Sequence, residues 1–106
     1  MTAGRHITTA IIDWQGMSLS VDYEPDWLNM GRASAFSTAH LQIRTINPER
    51  APLPFTETGY RSHFLSAEAV DQAGGPVAYV TAWLEHDAAL PEWRKRLAEW
   101  RQLSLF

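Results

Sequence analysis

The sequence predicts an α+β fold, a three-stranded antiparallel sheet followed by about three helices packed on one of its faces. Three observations predict it. Residues 17–24 alternate strictly, with Met17, Leu19, Val21 and Tyr23 set against Ser18, Ser20, Asp22 and Glu24, the period-two signature of a half-buried strand. Residues 40–46 alternate again. From residue 66 onward the period changes, and Val77, Val80, Leu84 and Ala88 recur at helical spacing.

Taken in order, residues 7–14 (Ile-Thr-Thr-Ala-Ile-Ile-Asp-Trp) are largely β-branched and suit a first strand. Gln15-Gly16 supplies a turn, and residues 17–24 return as the second strand of a hairpin with one wet face. Residues 25–38 hold Pro25, Asn29, Gly31, Ser34 and Ser37 without a steady period. They read as a long loop in which Trp27 and Phe36 are candidate anchors. The third strand follows at residues 40–46, with Leu41, Ile43 and Thr45 on one face and His40, Gln42 and Arg44 on the other. That second trio suits either a solvated sheet face or a polar binding face.

Pro48, Pro52 and Pro54 interrupt regular structure. They lead into Phe55-Thr56-Glu57-Thr58-Gly59-Tyr60-Arg61-Ser62-His63-Phe64, a stretch dense in hydrogen-bonding groups. A proline-stiffened loop of this content is a place where binding residues gather. Arg61 suits a phosphate or carboxylate, His63 a proton transfer and Glu57 a base. A small enzyme or ligand-binding site using Glu57, Tyr60, Arg61 and His63 requires the four to converge on one cleft. The competing reading is a rigid corner with Gly59 at positive φ and Tyr60 and Phe64 packed inward.

Residues 66–72 read as a short helix capped by Ser66 and stopped by Gly74-Gly75. Pro76 suits a helix start, and residues 77–88 read as a core helix, although Val77, Tyr79 and Thr81 also alternate as a strand would. Glu85-His86-Asp87 reads as the solvated end of that helix, because adjacent helical residues do not share a face for a metal. Leu90-Pro91-Glu92 opens the last helix, whose stripe is Trp93, Leu97, Trp100 and Ser104.

The totals are those of one small domain, 106 residues with 45% hydrophobic and 20% charged. The five Trp are expected to supply much of the core area. With no cysteine, disulfides, thiolate catalysis and cysteine zinc sites are excluded. No metal or cofactor is expected. Residues 1–20 hold no apolar run of signal-peptide length and no stretch approaches a membrane span, so the expectation is a cytoplasmic protein without a membrane partner. The net charge of −3 argues against a protein that grips DNA chiefly by neutralising phosphates. Charge is nevertheless uneven: Arg94, Lys95, Arg96 and Arg101 gather in the last helix against Glu99. They read as a wet helix face or, in a nucleic-acid-binding module, as a DNA contact.

The last five residues are Gln102-Leu103-Ser104-Leu105-Phe106. Two large apolar side chains, Leu105 and Phe106, can enter one apolar pocket on a partner; Leu103 adds a contact and the Gln102 amide fixes the register. The pentapeptide resembles the short tail by which bacterial DNA polymerases, repair proteins and replication regulators hold the DNA sliding clamp, usually Gln, Leu, Ser or Asp, Leu, Phe. All five positions match, and the resemblance covers these five alone. It implies a non-catalytic accessory or regulatory protein of bacterial, plasmid or phage DNA replication or repair, with the sliding clamp as partner and Gln102, Leu103, Leu105 and Phe106 as the contacts; beside such a tail, a DNA contact through the basic last helix gains weight. The competing reading folds residues 103–106 back on the core as the helix's last turn. The division that follows is an α+β domain over residues 1–101 and a tail over 102–106. The oligomeric state stays open.

Overall fold

The structure, a computed structural model, describes residues 7–27 and 38–103. Four strands form one antiparallel sheet in the order β1 (Thr8–Trp14), β2 (Met17–Glu24), β3 (Thr38–Asn47), β4 (Tyr60–Ser66). Three helices follow: α1 (Ala67–Ala73), α2 (Pro76–Ala88) and α3 (Pro91–Leu103). The α+β class is as expected, but the sheet has four strands rather than three. The loop expected over residues 25–38 lies largely outside the described residues, Phe36 with it.

The hairpin closes with Gln15 and Gly16 both at positive φ (48° and 80°), the turn whose twist matches the flanking strands. Trp14 thereby pairs with Met17 and Ile12 with Leu19. The alternation then decides the faces. Ile12, Trp14, Met17, Leu19, Val21, Tyr23, Ala39, Leu41 and Ile43 are buried together with Val70 of α1, Val80 and Leu84 of α2, and Trp93 of α3. Each large apolar side chain taken fully from water contributes about 1.5–3 kcal/mol, so this single layer between sheet and helices carries the fold.

The proline segment is part of that core. Ala51, Leu53 and Phe55 are buried, and Leu53 and Thr56 bond one another's backbone (2.8 and 3.0 Å). The Thr45 hydroxyl donates to the Ala51 carbonyl (2.7 Å), and the Thr45 amide donates to the Gly59 carbonyl (2.8 Å). The segment thus closes one end of the sheet layer before β4 begins.

β4 was hidden in the sequence because neither of its faces is apolar throughout. It pairs with β3 as Ile43↔Arg61, Leu41↔His63 and Ala39↔Leu65, which puts Arg61, His63 and Leu65 on the helix side. Tyr60, Ser62 and Phe64 therefore face the open side, and Tyr60 and Phe64 are exposed rather than packed inward. Ser66 caps α1 by accepting from the Ala69 amide (3.2 Å). Residues 77–88 are helical, which resolves the strand alternative: both faces of a strand there would need burial, whereas Val80 and Leu84 share one buried helical stripe. No helix among the described residues is long and apolar enough to cross a membrane.

Candidate functional site

α3 is held to the rest of the protein at two places. Trp93 is buried against Trp14, ring centroids 5.5 Å apart, and the Trp14 indole N–H donates to Glu85 Oε1 of α2 (2.9 Å). Three elements thus meet at Trp14. One turn farther on, Arg96 Nη1 donates to the carbonyls of Leu53 and Pro54 (3.0 Å each), and its Nη2 lies 3.6 Å from Glu57.

Burial then fades along the stripe. Trp93 is buried, Leu97 and Trp100 are half-buried, and Arg101, Gln102 and Leu103 are exposed, Leu103 at 71%. The helix leaves the core as it ends. Gln102 and Leu103 belong to α3, so the division expected after residue 101 falls inside a helix. Leu103 is not folded onto the core; Ser104, Leu105 and Phe106 lie outside the described residues. A groove lined by Pro52, Glu57, Lys95, Arg96, Trp100 and Leu103 runs beside this end of the helix.

The basic residues of α3 do not act as one group. Arg96 serves the proline segment. Lys95 shares its groove with Glu57, Glu92 and Glu99, which offset its charge. Arg94, also exposed, lies on the other flank beside Leu90 and Leu97, and Arg101 is exposed in the last turn of the helix.

The four residues considered as a loop site are divided three ways. Glu57 is 81% exposed and paired at 3.6 Å with Arg96. Tyr60 is on the open sheet face, its ring 5.7 Å from the Arg44 guanidinium carbon. Arg61 and His63 are on the helix side of β4, around Trp83. Convergence on one cleft is absent among them.

Trp83 organises what stands there instead. Phe55, His63 and Tyr79 lie 4.2, 4.7 and 6.2 Å from it, ring centroid to ring centroid. The Arg61 guanidinium carbon is 5.4 Å from the ring centroid while its Nη1 donates to the Phe55 carbonyl (3.1 Å). The Trp83 N–H donates to Asp87 Oδ2 (3.1 Å). Sequence reasoning did not single out Trp83; the i, i+4 pairs Tyr79–Trp83 and Trp83–Asp87 were the available signal. Glu85 and Asp87, read as a solvated cluster, each accept an indole N–H.

Burial first, then the charge of Arg61 and that of His40, hold the His63 pKa below 6.5. A base whose folded pKa is depressed is protonated more readily when unfolded, so stability rises with pH across that interval. The stability His63 contributes is complete above about pH 6.5 and is lost as pH falls through its lowered folded pKa. Thermal melts of the wild-type chain between pH 7.5 and 5.5 are expected to fall with pH, and His63→Gln to flatten the fall. An unchanged slope in the variant would assign the dependence elsewhere.

On the open face, His40, Gln42 and Arg44 line up as expected. Trp27, His40 and Phe64 form a ring cluster with centroid separations of 4.5–5.3 Å, and His40 Nε2 and Ser62 Oγ are 2.6 Å apart. Trp27 was recognised as an anchor; Phe64 was assigned to the wrong face.

A family model described as the KlcB third domain matches residues 7–93. The chain belongs to this family. The KlcB third domain here comprises the four-stranded sheet, α1, α2 and the start of α3 down to Trp93, the residue that docks on Trp14. The exposed half of α3 and the Gln-Leu-Ser-Leu-Phe segment lie beyond the matched span. No curated protein and no solved structure matches the chain.

Proposed function

We propose that this chain is a cytoplasmic, non-catalytic accessory protein of bacterial, plasmid or phage DNA metabolism that binds the DNA sliding clamp through Gln102, Leu103, Leu105 and Phe106. The observation that carries the reading is the five-position match of Gln-Leu-Ser-Leu-Phe. Its support is the way α3 parts from the core, which leaves Gln102 and Leu103 exposed for a partner. The domain anchors the helix at Trp93 and Arg96, and the last described residues of that helix stand clear of the core. Apolar anchors with one register-fixing amide suffice for roughly micromolar binding, about 8 kcal/mol. Arg94 and Arg101, on the exposed side of α3, would meet DNA threaded through the clamp.

A synthetic peptide spanning residues 97–106 is expected to compete with the intact chain for a bacterial sliding clamp, and the same peptide with Leu105 and Phe106 replaced by alanine is expected not to. Equal competition by the two peptides would remove the reading.

A further inference from the structure

The two edges of the sheet are finished differently. At the start of β4 the chain's own loop closes the outer side: the Tyr60 carbonyl accepts from Thr56 Oγ1 (2.8 Å) and Thr58 Oγ1 (3.4 Å), and the Arg61 side chain reaches over to the Phe55 carbonyl. Among the described residues β1 has no such cover. Its outer side pairs with no strand among the described residues. Thr-Thr-Ala-Ile-Ile-Asp-Trp contains no Lys, Arg or Pro, and the one register shift in the sheet lies between β2 and β3. Ile11 is 59% exposed, and Ile7 just before the strand is 54% exposed. Proteins blunt edge strands with charge, proline, bulges or covering loops, because a bare edge presents a row of unpaired N–H and C=O groups to any other strand. Among the described residues β1 shows none of these except the single charge of Asp13, whose carboxylate accepts from Ser18 Oγ (2.9 Å).

We infer that β1 pairs antiparallel with β1 of a second copy, joining two four-stranded sheets into one across a two-fold axis through Ile11. The strand is complementary to itself in that register. Ile11 meets Ile11, Thr9 meets Asp13 on either side of it, and on the opposite face Ala10 meets Ile12. At the centre of the pair apolar groups thus oppose apolar groups, the Asp13 carboxylate faces the Thr9 hydroxyl that already donates to Asp22 (2.8 Å), and no like charges stand opposite, the conditions under which cross-strand pairs stabilise. The neighbouring registers lack this. An axis through Ala10 sets Asp13 against Ile7, and one through Ile12 sets Asp13 against Ile11. A closed two-fold contact also removes the free edge from both copies at once. Nucleic acid does not suit the same surface, because Asp13 and Asp22 stand on the open face of this hairpin without a cation among its residues.

Because the chain has no cysteine, single cysteines report the pairing directly. Opposed residues in an antiparallel pair have Cβ atoms about 4.5–5.5 Å apart, close to what a disulfide spans. Ile11→Cys is expected to oxidise to a linked dimer in high yield, and Ser62→Cys, on the strand at the opposite edge of the sheet, to remain single-chain under the same conditions. Light scattering of the wild-type chain is expected to give twice the monomer mass and its melt to rise with concentration, whereas Ile11→Lys is expected to give the monomer mass, an unchanged circular dichroism spectrum and a melt independent of concentration, since the side chain is outside the core. A wild-type chain that stays monomeric at high concentration, or equal cross-linking of the two cysteine variants, would overturn the inference, as would a β1 that captures only strands of other proteins. None of these readouts involves residues 102–106, so this result and the clamp result stand or fall separately.

Discussion

Gly59→Ala is expected to cost about 3 kcal/mol or more, a large fraction of the stability of a domain this size. Gly59 is buried at φ +75°, and a Cβ there would lie 2.7 Å from the Arg50 carbonyl carbon and 2.8 Å from the Ala51 carbonyl oxygen and Arg50 Cα. All three are backbone atoms, fixed by the Thr45 bonds to Ala51 and Gly59, so no side-chain rotation relieves the overlap. Relief requires parting the proline segment from the start of β4 and uncovering Leu53 and Phe55. Gly16→Ala isolates the backbone contribution, because Gly16 also has positive φ (+80°) but nothing stands within 4 Å of its Cβ position. It is expected to cost about 1–2 kcal/mol. Urea melts of both variants compare the two, and equal costs would mean that the close approach of the segments is not what Gly59 serves.

Trp93→Ala is the second large effect, about 3–5 kcal/mol by analogy with other buried aromatic truncations. The indole fills the space against Trp14 and is the one fully buried residue of α3. Its loss removes the apolar contact that fixes the helix, leaving the Arg96 bonds to Leu53 and Pro54. Trp100→Ala removes an equally large ring from a half-buried position and is expected to cost about half as much. Circular dichroism with denaturant melts checks the pair; helicity should fall more for Trp93→Ala. Equal losses would mean that α3 is packed along its whole length, against the fading burial from Trp93 to Leu103.

The parts of the fold legible in the sequence were those where one face is apolar and the other wet. β2 was read to its exact residues because Met17, Leu19, Val21 and Tyr23 alternate with polar neighbours, and α1 because Ser66 and Gly74 mark its ends. β4 escaped for the opposite reason. Its helix-side residues are Arg61 and His63, whose polar groups are tolerated there because Trp83 offers a ring face and the Phe55 carbonyl an acceptor. No period of two survives such a substitution of polar for apolar side chains. Tyr60 and Phe64 misled in the same way, since large aromatics on an open sheet face look like core residues until the register is known. At the candidate site, the pentapeptide was visible because it is local. The role of Arg96 was not, because its acceptors Leu53 and Pro54 are more than forty positions away.

We propose a folded KlcB third domain that carries a clamp-binding peptide on a helix leaving its core. Calorimetric titration of a bacterial sliding clamp with the intact chain and with the chain ending at Arg101, alongside thermal melts of both, tests it most directly. Roughly micromolar binding by the intact chain is expected, none by the shortened one, and closely similar melts, because Gln102 and Leu103 are exposed. No binding by the intact chain, or a melt that collapses when residues 102–106 are removed, would contradict it.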